Sequence, residues 1–294
     1  MVEDSSTKPA KTWLVTGTSR GLGRALVQAI LDRGDRVVAT ARRSDQLSDL
    51  VRENPARVRA LSVDVTNPAE VQRAVQTAVD EFGSLDVVVN NAGYANSASV
   101  EDGTDEDFRA QIETNFFGVV SMTRAVLPIM RRQRSGHIIQ VSSTVGKVGG
   151  MPGLSAYTAA KFALEGFSEV LRGEVQPLGI KVTVVEPSGL RTDWAGVSMA
   201  IAPVSPDYQV SVGEANKVRL ALGGTQAGDP VRAAAAIVDF AYMDDAPERV
   251  LLGGKAVAVA RKAANHWAAE IEQWAPVSQS IDFPLSAETP VVRQ

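Results

Sequence analysis

The chain has 294 residues, of which 45% are hydrophobic and 22% charged, so it can bury the core of one large α/β domain or of two small ones. Its net charge of −4 argues against general affinity for nucleic acid or anionic membranes, and without cysteine neither a disulfide framework nor a thiolate zinc site is possible. With two widely separated histidines, no signal-peptide pattern and no long apolar run, we expect a cytoplasmic protein without a metal site.

Apolar β-rich runs alternate with amphipathic helical patterns through the first two thirds of the chain. The strands that these runs predict are residues 11–17, 36–41, 57–65, 85–93, 136–143 and 180–187. The helices predicted between them are 21–33, about 44–53, 68–82 with Asn67 as its N-cap, about 106–132 and about 155–176. Continuously apolar strands separated by helices are typical of a parallel sheet covered on both faces. We therefore expect a Rossmann-like doubly wound α/β fold with about seven strands.

The later part of the chain has a different pattern. Residues 188–229 are rich in Gly, Ala, Ser and Pro, which predicts a long loop with short helices, either a lid over a ligand site or a plain surface excursion. A helix at 230–243, a seventh strand at 249–254 and a helix at 255–274 with a polar tail follow. We expect one catalytic domain over residues 1–294, with a mobile substrate loop at about 188–229 and a C-terminal helical extension at about 255–294.

The two histidines are interpreted as structural residues. His137 follows a glycine at the start of a predicted strand and is expected in a surface turn. His266 lies with Trp267 and Trp274 on the C-terminal helix, where packing is a simpler interpretation than catalysis.

The first strand runs directly into a glycine-rich turn, TGTSRGLG (residues 16–23), and a helix begins within it. Glycines at these positions permit a tight turn and let the backbone approach a pyrophosphate. The helix N-terminus adds free N–H groups and a favourable dipole. Because the motif follows a strand and opens a helix, it predicts a nucleotide-binding site.

The run YTAAK (157–161) places Tyr157 and Lys161 four residues apart, on one face of a predicted helix. A nearby cation stabilises a phenolate and lowers the pKa of the phenol, so such a pair can transfer a proton. Alone, the spacing is equally compatible with ordinary helix composition.

Five motifs together resolve that ambiguity. TGTSRGLG, NNAG (90–93), Asn115, VSS (141–143) and YTAAK occur in the order and approximate spacing of the short-chain dehydrogenases/reductases. The chain resembles that family over about residues 11–255. EPSGLRTDW (186–194) resembles the segment that closes over the nicotinamide, although Ser188 separates Pro187 from Gly189 where the family commonly has Pro-Gly.

The end of the second strand carries the cofactor preference. Ala41 stands where an NAD-dependent enzyme usually has an acidic residue, and Arg42 and Arg43 follow it. A guanidinium can bind a 2′-phosphate through bidentate, charge-assisted hydrogen bonds. The resemblance therefore implies NADP(H), with Arg20 and Arg42 at the phosphate and Arg43 as a solvated charge.

The resemblance also implies the other cofactor contacts. Asp64 is expected at the adenine amino group, with a turn role as its alternative, and Asn91 and its neighbours are expected to be both structural and cofactor-lining. The complete expected set is Gly17, Ser19, Arg20, Gly21, Leu22, Gly23, Arg42, Asp64, Val65, Asn91, Ala92, Gly93, Tyr157, Lys161, Pro187, Leu190 and Thr192.

Four catalytic roles follow from the resemblance. Tyr157 is the expected proton donor, Lys161 lowers its pKa and binds the nicotinamide ribose, and Asn115 holds a water in a proton relay. The orienting serine usually lies thirteen residues before the tyrosine; Thr144 has that spacing and Ser143 is fourteen before. Because the strand end fixes where the hydroxyl points, Ser143 is preferred, with Thr144 and Ser142 as alternatives.

The implied activity is reversible NADPH-dependent reduction of a ketone or aldehyde to an alcohol. The alternatives are a non-catalytic nucleotide-binding regulatory protein and a sugar-nucleotide epimerase, although the latter usually has a TGxxGxxG loop and a larger C-terminal substrate domain. Residues that could line an apolar pocket for a bulky carbonyl are Tyr94, Val145, Met151 and Trp194. As in the family, we expect a homo-oligomer, dimer or tetramer, formed through the two long helices and reshaped by the C-terminal extension.

Overall fold

The computed structural model describes residues 10–195 and 199–283 of the chain. Its strands are β1 (Thr12–Val15), β2 (Arg36–Ala41), β3 (Val58–Ser62), β4 (Val87–Asn90), β5 (Gly136–Val141), β6 (Ile180–Pro187) and β7 (Arg249–Leu252). They form one parallel sheet of seven strands in the order β3-β2-β1-β4-β5-β6-β7. This confirms the predicted Rossmann-like α/β fold.

The α-helices of the described residues alternate with the strands. They are α1 (Gly21–Asp32), α2 (Ser48–Glu53), α3 (Pro68–Phe82), α4 (Asp105–Ile112), α5 (Gly118–Gln133), α6 (Val145–Val148), α7 (Ser155–Val175), α8 (Glu214–Ala221), α9 (Pro230–Phe240) and α10 (Gly254–Gln279). Asn67 caps α3 as predicted, since its side chain accepts hydrogen bonds from the amides of Ala69 and Glu70. None of these helices combines the length and the apolar composition that crossing a bilayer requires.

Helices cover both faces of the sheet. Trp13 and Val15 of β1 pack into the layer formed with α1 and α9, whereas Leu14 packs into the layer of α3, α5 and α7. All three side chains are fully buried. Because successive residues of a strand point to opposite faces, a strand buried on both sides must be apolar throughout, which is the pattern seen in the sequence.

The sheet order reverses between β1 and β4, so that β2 and β3 extend to one side and β5 to β7 to the other. In open parallel sheets, ligands bind outside the carboxyl ends of the strands at such a reversal. The loops that follow β1, β4, β5 and β6 all leave from this edge. They contain the glycine-rich turn, NNAG, the serines and the 186–194 segment.

Several strands are shorter than predicted because the residues after them bond within turns and loops. Strand β3 ends at Ser62, and Asp64 Oδ1 then accepts hydrogen bonds from the amide and hydroxyl of Thr66 at 2.9 and 2.7 Å. Strand β4 ends at Asn90, and the next two amides, of Asn91 and Ala92, bond to a side chain of the glycine-rich turn.

The interpretation of His137 as a surface-turn residue was wrong. His137 lies inside β5 with its Nε2 2.8 Å from Thr183 Oγ1, and burial lowers its pKa to about 3, so it is a neutral core residue. Trp267 and Trp274 are 67% and 57% exposed, so they do not pack into a core of the described chain. Their helix, α10, extends beyond the predicted end to Gln279.

Candidate active site

The glycine-rich turn is packed so closely that only glycine fits two of its positions. Gly17 has φ = 71°, and a Cβ built on it would lie 2.8 Å from Ala92 Cα. A Cβ on Gly23 would lie 2.1 Å from the carbonyl oxygen of Gly17 and 2.6 Å from Asn91 Nδ2. The first turn of α1 therefore lies directly against the loop after β1, which forms a cradle with backbone walls.

The segment after β4 braces this cradle. Asn91 Nδ2 donates hydrogen bonds to the carbonyls of Thr16 and Gly17 at 2.8 and 3.0 Å. The Thr16 hydroxyl in turn accepts the amides of Asn91 and Ala92 at 3.0 and 2.9 Å. These bonds fix the loop after β4 against the loop after β1. The predicted structural role of NNAG therefore has specific contacts, whereas its cofactor-lining role stays a prediction.

The cradle opens onto the N-terminus of α1. The N-cap residue Arg20 makes no side-chain capping bond and no acidic residue occupies the first turn, so the helix dipole and its first N–H groups remain available to an anion. Gly21 lies beside Thr192, whose side chain begins 3.4 Å from the position of an added Cβ. The loop after β6 therefore reaches across the start of α1, and together these parts fit a dinucleotide pyrophosphate.

The three arginines around the cradle differ in their partners. Arg43 forms an ion pair with Asp45 at 2.7 Å, and both side chains are mostly exposed. Within residues 10–195 and 199–283, the guanidinium groups of Arg20 and Arg42 donate no hydrogen bond and form no ion pair, and both residues are exposed. Two cations thus remain free beside the cradle, as the prediction of a phosphate contact requires.

The expected adenine contacts lie after β3. Asp64 is exposed and uses Oδ1 in the turn to Thr66, while Val65 is buried against Gly118 of α5. The structure therefore gives Asp64 the turn role that was its alternative, and leaves its Oδ2 without a bond in the described chain. An adenine contact for Asp64 stays a prediction.

Asn115 interrupts the long helix that was predicted as continuous. Residues Glu113–Phe117 form a π-helical turn between α4 and α5, and Asn115 in its centre is fully buried. Its Nδ2 donates to the carbonyls of Tyr94 and Gln111, both at 2.8 Å, and its Oδ1 accepts the amide of Tyr94 at 3.2 Å. Such π turns recur at functional sites because they displace one residue from the regular helical face.

This turn brings Asn115 close to Lys161. A Cβ built on Gly93 would lie 2.5 Å from Asn115 Oδ1 and 3.9 Å from Lys161 Nζ. Gly93 thus separates the two side chains, and any larger residue there would collide with the amide. The expected relay residues are neighbours in the structure.

The three candidate hydroxyls after β5 have different surroundings. The side chain of Ser143 lies beside the phenol of Tyr157 and opposes the rise of its pKa, and Ser143 Oγ accepts the amide of Val145 at 3.4 Å. Thr144 Oγ1 donates to the carbonyl of Pro187 at 3.1 Å, and Ser142 is buried under Gly146 without a partner in the described chain. The geometry therefore brings Ser143, fourteen residues before the tyrosine, to the phenol and directs Thr144 away from it.

Tyr157 and Lys161 lie on the first turns of α7 and are both almost fully buried. Lys161 Nζ lies 5.6 Å from the centre of the Tyr157 ring and donates to the carbonyl of Val141 at 2.8 Å. Burial raises the pKa of Tyr157 to about 12, and the side chain of Ser143 opposes this shift. Burial also lowers the pKa of Lys161 to about 8, which the negative charge of Glu165 opposes.

The pKa of Tyr157 thus differs from the sequence expectation, which had Lys161 lower it. In the polypeptide alone, desolvation of the phenolate outweighs any help from a neighbour whose own charge is weakened by burial. To bring the pKa of Tyr157 below its ordinary value, the site therefore needs a further positive charge.

Tyr157 belongs to a small apolar cluster. Its buried members are Ala95, Leu154, Tyr157 and Met199, with Val145 and Trp194 packed against them. Val145 and Trp194 were expected here, whereas Met151 is 45% exposed and Tyr94 lies outside the cluster. Sequence reasoning missed Leu154 and Met199, because a lone apolar residue in a loop gives no periodic signal.

Residues 199–222 are tied to the loops beside this cluster. Arg219 of α8 is buried and donates to Pro152 O at 3.1 Å and to Ser97 Oγ at 3.2 Å. Ser97 also donates to Asn216 Oδ1 at 2.7 Å. These bonds tie α8 to the loops that contain Ser97 and Pro152, next to Ala95 and Leu154 of the cluster, and the lid interpretation of this segment stays a prediction.

A buried carboxylate behind the site also escaped the sequence analysis. Glu186, at the end of β6, is fully buried and forms an ion pair with Arg249 at 2.9 Å. The same arginine pairs with Glu165, one turn after Lys161, at 3.2 Å. Burial first, and then the charge of Glu165, raises the pKa of Glu186 to about 7. A single acid inside the apolar run IKVTVVEP was the available signal.

Comparison with known proteins agrees with this geometry. The family model for short chain dehydrogenases matches residues 11–200. Oxidoreductase BOA17 of Botryotinia fuckeliana is 48% identical over 269 residues, which are 91% of this chain and 98% of that protein. A 3-ketodihydrosphingosine reductase of Bacteroides thetaiotaomicron is 44% identical over 179 residues, 61% of this chain and 64% of that one.

Among solved structures, a short-chain dehydrogenase from Streptomyces avermitilis superposes with a TM-score of 0.86 at 39% identity, covering 94% of this chain and all of the other. The match thus includes the sheet, the cradle and the segment around Tyr157. The chain belongs to the short-chain dehydrogenase family of nicotinamide-dependent oxidoreductases.

Proposed function

We propose that the protein is an NADPH-dependent reductase that converts a ketone or aldehyde to an alcohol, reversibly, within a single catalytic domain. The observation that carries the proposal is the contact set of Tyr157. The side chain of Ser143 lies beside its phenol, its ring lies 5.6 Å from Lys161 Nζ, and it belongs to an apolar cluster. A regulatory protein that only binds nucleotide would have no need of this arrangement.

In the proposed mechanism, Ser143 donates a hydrogen bond to the substrate oxygen and Tyr157 gives that oxygen its proton. The cofactor, when bound, supplies the hydride and, once oxidised, a positive charge. Lys161 stabilises the resulting phenolate with its own charge, and Asn115 holds a water that returns a proton through Lys161. Oriented donors of this kind act on the charge that develops at the oxygen, in a site from which the apolar cluster excludes water.

The preference for NADPH rests on Arg20 and Arg42. Both guanidinium groups are exposed and make no hydrogen bond or ion pair in the described chain, whereas Arg43 is already paired with Asp45. A 2′-phosphate would provide the anion that these two cations lack, and Ala41 offers no carboxylate to a ribose 2′-hydroxyl.

The proposed substrate is a carbonyl compound with a bulky apolar group. Apolar contacts around Tyr157 come from Leu154, Met199, Val145 and Trp194. Of the predicted substrate loop at 188–229, residues 196–198 lie outside the described residues, and the remainder is proposed to open and admit the substrate. The relatives named as a 3-ketodihydrosphingosine reductase and as 3-oxoacyl-[acyl-carrier-protein] reductases support a ketone and the reductive direction.

The test is oxidation of NADPH, followed by absorbance, with a panel of ketones and aldehydes of increasing apolar size. NADH is run in parallel, and Tyr157→Phe is the control because it removes only the hydroxyl. We expect turnover with NADPH that is weaker with NADH and absent in the variant. Tight NADPH binding without turnover on any substrate, equal in both proteins, would favour the regulatory alternative.

A further inference from the structure

The C-terminal helix α10 extends away from the rest of the described chain. Of its 26 residues, only Ala256 in the first turn is buried, and its main contacts are with α6 and β7. From Arg261 onward nearly every residue is exposed, including Trp267 at 67%, Ile271 at 50% and Trp274 at 57%. Water-exposed tryptophans on a projecting helix are costly, because each could bury about 150–250 Å² elsewhere.

The exposed apolar residues of α10 share one face. We call this face the α10 stripe, formed by Val259, Ala263, Trp267, Ile271, Trp274 and Val277. Successive members are three or four residues apart, so they follow one side of the helix, which is also the side of the buried Ala256. The side of α10 that packs on its own chain at Ala256 is thus the same side that the stripe leaves uncovered further along the helix.

We propose that the α10 stripe pairs with the α10 stripe of a second copy of this chain, antiparallel, about a two-fold axis close to Trp267. This inference is independent of the proposed activity. Side-chain size is the first argument. With the axis at Trp267, Ala263 faces Ile271 of the partner subunit and Ala260 faces Trp274 of the partner subunit. Small residues from the N-terminal half of one α10 then pack against large residues from the C-terminal half of the other α10, as close packing requires.

Charge is the second argument. Lys262 and Glu270 lie on the same flank of the stripe, two steps of four residues apart, with His266 between them and 3.7 Å from Glu270. In an antiparallel pair, the same edges of two helices face each other, so Lys262 comes beside Glu270 of the partner subunit, and the symmetry repeats this contact. A parallel pair would instead place Lys262 against the opposite edge, where Ala264 and Ala268 offer no charge.

The available area is sufficient for a specific interface. At 67% and 57% exposure, the two tryptophans alone would bury about 190–310 Å² of the roughly 800 Å² that each partner contributes to a standard interface, and Val259, Ile271 and Val277 add to this area. A membrane surface is the competing occupant. It is disfavoured because Glu270 borders the stripe and because Glu270 and Glu272 offset two of the three basic residues of α10, whereas helices that bind membrane surfaces are rich in Lys and Arg.

The cysteine-free chain allows a direct test of orientation. Two full-length single variants, Ala263→Cys and Ile271→Cys, are mixed and oxidised. We expect an efficient disulfide between the two variants in the mixture, because the antiparallel pair places these positions opposite each other. Asn265→Cys, on the face of the same helix opposite the stripe, is the matched control and should not cross-link. If Ala263→Cys cross-links best with itself, or no better than the control, the antiparallel pair is overturned.

Mass in solution provides the second test. The double variant Trp267→Glu/Trp274→Glu should halve the molar mass measured by light scattering, whereas Asn265→Glu, on the face opposite the stripe, should leave it unchanged. These exposed positions touch no core, so a loss of folding is not expected and circular dichroism checks it. An unchanged mass in the double variant would refute the proposal. Wild-type binding to phosphatidylcholine–phosphatidylserine vesicles that this variant loses, with no change in mass, would assign the stripe to a membrane surface instead.

Discussion

The rings of Tyr157 and Trp194 lie 5.1 Å apart at an angle of 56°. Trp194 belongs to the loop after β6, which also lies beside the start of α1, whereas Tyr157 belongs to α7. One loop therefore contacts both the cofactor cradle and the proposed proton donor. A substrate that reaches the tyrosine hydroxyl must lie next to this indole.

We expect Trp194→Ala to raise KM for bulky apolar ketones by about 2- to 10-fold, because an aromatic contact contributes about 0.5–1.5 kcal/mol. Small ketones should be affected less, and Trp194→Phe should remain close to wild type. Steady-state kinetics on a series of ketones checks this. An equal loss for small and large ketones would mean that Trp194 acts on loop structure and not on the substrate.

The two free arginines predict a selective effect on the cofactor. Arg20→Ala and Arg42→Ala should each raise KM for NADPH by about 10- to 100-fold, since a hydrogen bond to a charged group is worth about 1.5–3 kcal/mol, and should change KM for NADH little. Arg43→Ala is the matched control because Arg43 is already paired with Asp45. If KM rose equally for NADPH and NADH, the two arginines would not be acting on the 2′-phosphate.

The buried lysine predicts the alkaline limit of activity. Because burial lowers the pKa of Lys161 to about 8, its stabilising charge is present below that pH and disappears above it, so kcat/KM for reduction should fall above about pH 8. In Lys161→Arg the charge persists at high pH, and the residual activity should show no fall near pH 8. A pH profile with the same alkaline limb in both proteins would assign the limb to another group.

Replacement by alanine should have opposite effects at a glycine of the cradle and at a glycine of α7. Gly23→Ala should abolish dinucleotide binding or folding, because its Cβ would lie 2.1 Å from the carbonyl oxygen of Gly17. Gly166→Ala, within α7 and with no atom within 4 Å of the new Cβ, should stabilise the protein by up to about 1 kcal/mol. Thermal unfolding and NADPH titration of both variants check this pair, and a neutral Gly23→Ala would contradict it.

Glu186 predicts how stability changes with pH. Its pKa is about 7 in the folded protein and near 4.3 in an unfolded chain, so the folded state binds its proton more tightly. Its contribution is therefore fully present below about pH 4 and is lost as the pH rises through about 7. The shift of almost three units sets an upper limit of roughly 4 kcal/mol.

Between pH 4.5 and 7.5, the unfolding free energy of Glu186→Gln relative to wild type should therefore improve by about 1–3 kcal/mol. Urea unfolding at several pH values measures this difference. Glu248→Gln is the control, because that side chain is 72% exposed in its ion pair with Arg172. A difference that does not vary with pH would mean that Glu186 ionises normally.

Local sequence alone determined the fold and most of the proposed site. Continuously apolar strands between amphipathic helices predict a doubly wound parallel sheet, since such strands can be buried only under helices on both faces. Gly17 and Gly23 mark the cradle because Gly17 has φ = 71° and a Cβ on Gly23 would collide with the carbonyl oxygen of Gly17, so both of these constraints act within the motif itself.

Only the tertiary structure decided which of several similar residues faces the site. Ser143 and Thr144 are adjacent and chemically alike, but the first contacts Tyr157 and the second bonds to Pro187, on the neighbouring strand. Arg43 is set apart from Arg42 only by its ion pair with Asp45. Burial of Glu186 and exposure of Trp267 likewise depend on which elements cover them. Such differences arise from contacts between distant segments, which local periodicity and propensity do not encode.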